Sequence, residues 1–108
     1  MKKEYVYKLN NLLNTNPMEF DTREMIMEVS SEVVNLLLEK NDAYGDSALN
    51  PANIFSQGNA VESLCARIDD KLMRIKMRGI NDETEDTVQD LIGYLILLKI
   101  ALRQQAWA

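Results

Sequence analysis

The sequence predicts an all-α fold: a helical bundle of about four helices, with a long loop between the second and third, that assembles into an oligomer. Three observations predict it. Apolar residues recur at the three- and four-residue intervals of a helix face in four successive segments. Residues that start and stop helices, Asp21-Thr22, Gly79 and Asn81-Asp82, stand at the edges of those segments. The segment after Asp90 is apolar nearly all round, as befits a central helix or one in a subunit interface.

At 108 residues the chain reads as one domain, with 1–17 as a peripheral N-terminal helix and 21–106 as the bundle core. A chain of this length buries roughly two thirds of its unfolded surface, a modest core that association would help. The net charge of −5 argues against a binder of nucleic-acid polymers, which needs a basic face. There is no histidine, so the commonest general base and the usual zinc ligand are missing. The single Cys65 excludes an internal disulfide and a cysteine-cluster metal site. No secretory signal follows Met1-Lys2-Lys3, and Leu91 to Leu102 is too short to span a bilayer, which takes about 20 apolar residues. The expectation is a cytoplasmic protein without a membrane partner.

The elements follow in order. Tyr5, Val6, Leu9, Leu12 and Leu13 give a weak helix that Pro17 ends. A long helix starts at Asp21-Thr22 and runs to about Asn41-Asp42, with Ile26, Val29, Val33, Leu36 and Leu37 as its apolar face. The connection from Tyr44 to Asn59 is long for a small domain, which marks it as functional or mobile. Within it Pro51 to Phe55 suggests a helical turn, with Ile54 and Phe55 as an apolar anchor. The next helix, from about Asn59 to Met77, has Val61, Leu64, Cys65, Ile68, Leu72 and Ile75 as its apolar face, and Gly79 provides a left-handed cap. The last helix opens on Asn81 or Asp82, with Asp82 and Glu85 at capping-box spacing. Its core stripe is Val88, Leu91, Leu95, Leu98 and Leu102, widened by Ile92, Ile96 and Ile100.

Charge enters these helices in three places. Glu24, Glu28 and Glu32 recur every fourth residue, either as a solvated face or as a carboxylate row for a divalent cation. Arg67, Lys71 and Arg74 flank the following helix, either as surface ion pairs or as phosphate ligands. Asp86, Asp90 and Tyr94 align on the last helix. Asp90 borders the apolar stretch, and a partly buried carboxylate needs a partner: Arg67, Lys71, Arg74 or a metal. Walker loops, dinucleotide glycine fingerprints and Ser/His/Asp sets are absent.

Three blocks carry a resemblance: Lys40 to Ser47, Arg67 to Arg74, and Glu85 to Tyr94. In order and together they resemble the nucleotide-modification-associated domain family of phages and prophages. That family looks like an offshoot of the MazG-like and dimeric dUTP pyrophosphatase group of all-α nucleotide pyrophosphohydrolases. The resemblance implies a homodimer or higher homo-oligomer that handles a nucleotide. It implies Mg²⁺ held by Glu28, Glu32, Asp86 and Asp90, with Glu28 or Glu32 activating a water. Asn41, Tyr44, Arg67, Lys71 and Arg74 would bind the substrate, with Phe55 as a further base contact. The chain departs from the pattern twice: Glu28 and Glu32 are four apart rather than three, and Thr87 stands where the group has an acid. The expected reaction is Mg²⁺-dependent cleavage of a nucleoside triphosphate to monophosphate and pyrophosphate. The alternative is a non-catalytic module that sequesters a nucleotide signal of host defence, cyclic forms included. A third reading is an adaptor bundle without a ligand.

Overall fold

The computed structural model describes residues 20–107. They form α1 (Thr22–Ala43), α2 (Ala60–Arg78) and α3 (Glu85–Trp107), with a short 3-10 turn at Asp82–Thr84. No strand occurs among the described residues, and no helix there is long and apolar enough to cross a membrane. The fold is all-α as expected, but this stretch holds three helices and not four. The expected N-terminal helix of 1–17 lies outside the described residues.

The chain divides into two compact units, Met1–Ser30 and Ser31–Ala108. In the first, Asp21 fixes the start of α1. Its Oδ1 accepts from the backbone N–H of Arg23 at 3.0 Å and of Glu24 at 3.4 Å. Those donors have no partner inside the helix, so the carboxylate satisfies them.

The second unit is organised around Leu64 of α2 and Leu97 and Ala101 of α3, which form its buried cluster. Leu37, Val61, Tyr94 and Leu98 pack half-buried against it. α2 and α3 pack mainly on each other, joined through tightly satisfied ends. The Asn59 side chain caps α2 by accepting from the Glu62 N–H at 2.9 Å. At the other end the Gly79 N–H donates to the Ile75 carbonyl at 2.7 Å. Gly79 has φ 79° and ψ 179°, so its backbone is not the left-handed helical cap expected but a more extended form open essentially to glycine alone.

The expected Asp82/Glu85 capping box is replaced by one a residue earlier. Asn81 accepts from the Glu83 N–H at 2.9 Å, while the Asn81 N–H donates to Thr84 Oγ1 at 2.9 Å. The 3-10 turn tightens the entry to α3 and draws Thr84 inward, where it is 2% exposed and can reach back.

Two further expectations are corrected. Ile54 and Phe55 do not anchor the long loop; they are 80% and 101% exposed. No helical turn forms at 51–56, and Ala48 and Leu49 pack against the core cluster in their place. The core stripe of α3 is also rotated. Gly93, Leu97 and Ala101 are buried, whereas Val88, Ile92, Leu95, Ile96, Ile100 and Leu102 are exposed. A helix that is apolar all round gives no phase, and the contacts with Leu64 and Leu37 set it.

Candidate functional site

A cleft of about 300 Å³ lies between the second-unit part of α1, the turn that follows it, α2 and α3. On α1 the positions Val33, Leu37, Lys40 and Asn41 fall three or four residues apart, save that Asn41 adjoins Lys40, so one helix face lines one wall, and Tyr44 follows just past its end. Gly93 and Leu97 of α3 supply apolar floor. At Gly93 the Leu37 side chain lies against the helix: a Cβ there would stand 3.5 Å from Leu37 Cδ1. A larger side chain at Gly93 would fill the space that the cleft occupies.

The turn that closes one end runs through Gly45 and Asp46, with φ of 60° and 62°. Glycine takes this conformation freely and aspartate tolerates it through local hydrogen bonding. Here Asp46 accepts from the Asn50 side chain at 2.6 Å. The turn sets Ser47 and Ala48 at the cleft and leaves Tyr44 70% exposed at its edge.

The polar end of the cleft is built on Asp90. Its Oδ2 accepts from Lys71 Nζ at 3.0 Å, and its Oδ1 accepts from Lys40 Nζ at 3.3 Å. The Asp90 and Lys71 side chains are only 23% and 21% exposed, whereas Lys40 is 50% exposed. Burial pushes the Asp90 carboxyl up, but hydrogen bonds and charge from Lys71 and Lys40 outweigh it and hold the group below its ordinary value. Asp90 is therefore ionised at neutral pH. Arg67 is the second cation that lines the cleft, its Cζ 6.0 Å from the centre of the half-buried Tyr94 ring. That distance is the outer reach of a cation–π contact, which steers the guanidinium across the ring face.

Of the residues singled out from sequence, Asn41, Tyr44, Arg67 and Asp90 line the cleft. Lys71 reaches it through Asp90. Arg74 does not; it lies on the outer side of α2 in a shallow hollow with Lys71, Met73 and Met77. Asp86 is exposed and is not part of the cleft lining. Glu32 is exposed on α1, and Glu28 is exposed in the first unit. Phe55 is fully exposed and is likewise not part of the lining. Lys40 and Tyr94 were not among the expected ligand-binding residues. Lys40 was legible, because it continues the α1 face of Val33 and Leu37 at the next turn.

The donor set does not fit a magnesium site as arranged. Magnesium takes oxygen ligands in strict octahedral geometry. Both oxygens of Asp90 face ammonium groups, and among the described residues no three acidic side chains are grouped closely enough to hold one metal ion. The arrangement can instead hold an anion: Lys40 and Lys71 stand against one carboxylate, and Arg67 lines the same cleft.

Comparisons with protein-family models, with curated proteins and with solved structures find no match to this chain.

Proposed function

We propose that this chain binds a nucleotide-type ligand in the cleft and holds it without cleaving it. The observation that carries the reading is that two cations, Lys40 and Arg67, line an otherwise apolar-floored cleft in an acidic protein, with Lys71 joined to it through Asp90. Ligand pockets commonly pair a mostly apolar lining with a few convergent polar groups, and 300 Å³ stands at the small end of their range. A phosphate would meet Lys40 and Arg67, the two cations that line the cleft, and share Lys71 with Asp90. Asn41, Ser47 and Gln89 offer hydrogen bonds to a base or sugar, and the exposed Tyr44 ring offers a stacking face. The resemblance of the Lys40–Ser47, Arg67–Arg74 and Glu85–Tyr94 blocks to nucleotide-handling phage proteins supports the same class of ligand.

The pyrophosphohydrolase reading needs Asp90 to leave both lysines and turn to Mg²⁺ beside Asp86 and the α1 glutamates. One experiment separates the two. The purified chain is incubated with a panel of nucleoside triphosphates, monophosphates and cyclic dinucleotides, with Mg²⁺ or with chelator, and read before and after denaturation. Retention of one nucleotide that survives chelator and is returned intact supports the proposal. Monophosphate and pyrophosphate formed only with Mg²⁺ would establish the hydrolase. Neither binding nor cleavage would sink both.

A further inference from the structure

The charges of the cleft can be balanced group by group. Among the described residues its lining holds the cations Lys40 and Arg67 and the single acid Asp90, and Lys71 joins them through the other oxygen of that carboxylate. Three cations against one carboxylate leave a surplus of two positive charges. Lys40 and Lys71 hold the two oxygens of the same group at 3.3 and 3.0 Å, so their charges are gathered at one end of the cleft. The rest of the lining is neutral, with Gly93 and Leu97 as floor. A phosphate monoester carries roughly 1.5 to 2 negative charges at neutral pH. One such group closes the balance.

A longer phosphate chain meets the opposite sign. Along α3 the lining runs from Leu97 through Tyr94 and Gly93 to Asp90 and Gln89. One helical turn beyond Asp90 on the same face stands Asp86, exposed and outside the lining. A second or third phosphate carried past Asp90 would pass that carboxylate, and its own charge would find no cation of the lining left to balance it. Repulsion of this kind discriminates against a competitor just as an added contact favours the right ligand. A cyclic dinucleotide fails on form. Its two phosphodiesters carry single charges held apart by two nucleosides, whereas the cleft gathers its lysines on one carboxylate, and its volume of about 300 Å³ stands at the small end of ligand pockets.

We infer, on the nucleotide reading proposed above, that the cleft selects a nucleoside monophosphate, through its dianionic phosphate monoester, over the corresponding di- and triphosphate and over cyclic nucleotides. Asp90 sets the selection by cancelling one of the three positive charges. With a neutral residue in its place the surplus rises to three, which is nearer the charge of a diphosphate. Asp86 adds to the selection from the next turn of α3.

The test measures, in the presence of chelator, the affinity of the full chain for the four common ribonucleosides, their 5′-mono-, di- and triphosphates, their 3′,5′-cyclic monophosphates and cyclic di-adenosine monophosphate, by equilibrium dialysis. For the preferred base the monophosphate should bind at least about tenfold tighter than the free nucleoside and roughly three- to tenfold tighter than the triphosphate, as one or two unbalanced charges in a partly solvated site require. In Asp90→Asn the preference for mono- over diphosphate should be lost or reversed, and Asp86→Asn, at an exposed position, should narrow the gap to the triphosphate. Each result is a ratio measured on one preparation, so any unfolded fraction of a variant cancels. A di- or triphosphate or a cyclic nucleotide bound as tightly as the monophosphate, or an Asp90→Asn variant with the parent's preference, would overturn the selection while leaving nucleotide binding in place. Binding of none of the panel would overturn both.

Discussion

Replacing Asp90 with asparagine should weaken the fold and tighten ligand binding at the same time. The stability loss follows from the two contacts. The Lys71 contact at 3.0 Å joins two side chains that are mostly sheltered, where a charged hydrogen bond contributes about 1.5–3 kcal/mol. The Lys40 contact is half exposed on the lysine side, so screening cuts it to below about 0.5 kcal/mol. The asparagine oxygen still accepts from one ammonium, which leaves a net loss of about 1–2 kcal/mol. In a domain near this size that lowers Tm by roughly 5–15 °C. The effect on binding has the opposite sign. A phosphate about 5 Å from the Asp90 charge is repelled by about 1 kcal/mol in a largely solvated setting. Removing that charge should tighten an anionic ligand about fivefold. Circular dichroism melts and equilibrium dialysis read the two effects separately. Loss of both stability and binding would show that Asp90 positions the ligand. Loss of binding alone would show that it contacts the ligand or a metal, and the counter-ion reasoning would fail.

The same carboxylate predicts a pH dependence. Its pKa is lowered in the fold, so its contribution is full above the ordinary value of 3.8 and is lost as pH falls through the lower folded value. The parent should lose more stability than Asp90→Asn between pH 7 and strongly acid solution, in denaturant titrations. Gly93→Ala should stabilise by up to about 1 kcal/mol, because the new methyl meets Leu37 at an ordinary 3.5 Å; Gly93→Leu should fill the cleft and abolish ligand retention. Asn81→Ala, which removes the side-chain half of the capping box at α3, should cost about 1 kcal/mol in thermal melts without altering ligand affinity. Leu64→Ala, at a site 1% exposed in the buried cluster, should cost about 2–5 kcal/mol, and an unchanged midpoint would refute the placement of the core.

Helix starts were more legible than helix stops. Asp21 caps α1 as its chemistry dictates, because a short polar side chain beside an apolar-periodic run has one strong local use; Asn59, read only as the start of its helix, caps α2 in the same way. The partner of Asp90 was half legible: Lys71 was one of the cations named for it, while Lys40, fifty residues away in sequence, was not. Of the expected stripe on α3, Leu98 packs against the buried cluster, but the phase of the helix was not legible. Every side of that helix is apolar, so hydrophobic period alone gives no phase, and Val88 and Leu95 read as core although they face outward.

The contact between Gly93 and Leu37 bears on the order in which the molecule assembles. α2 and α3 are joined by a short connection and pack mainly on each other, so their pairing closes a short loop. The Ser31–Ala43 part of α1 reaches α3 only across fifty residues of chain, through Leu37 on Gly93 and Lys40 on Asp90. Closing the longer loop costs more entropy and rewards it with fewer contacts. The helical hairpin is therefore expected to form first and α1 to settle last. One wall of the cleft is α1 itself, so the binding surface comes into being at that final step. A bound ligand should then slow amide exchange most in 31–43 and least in the α2–α3 hairpin, whose own opening does not require the cleft to empty.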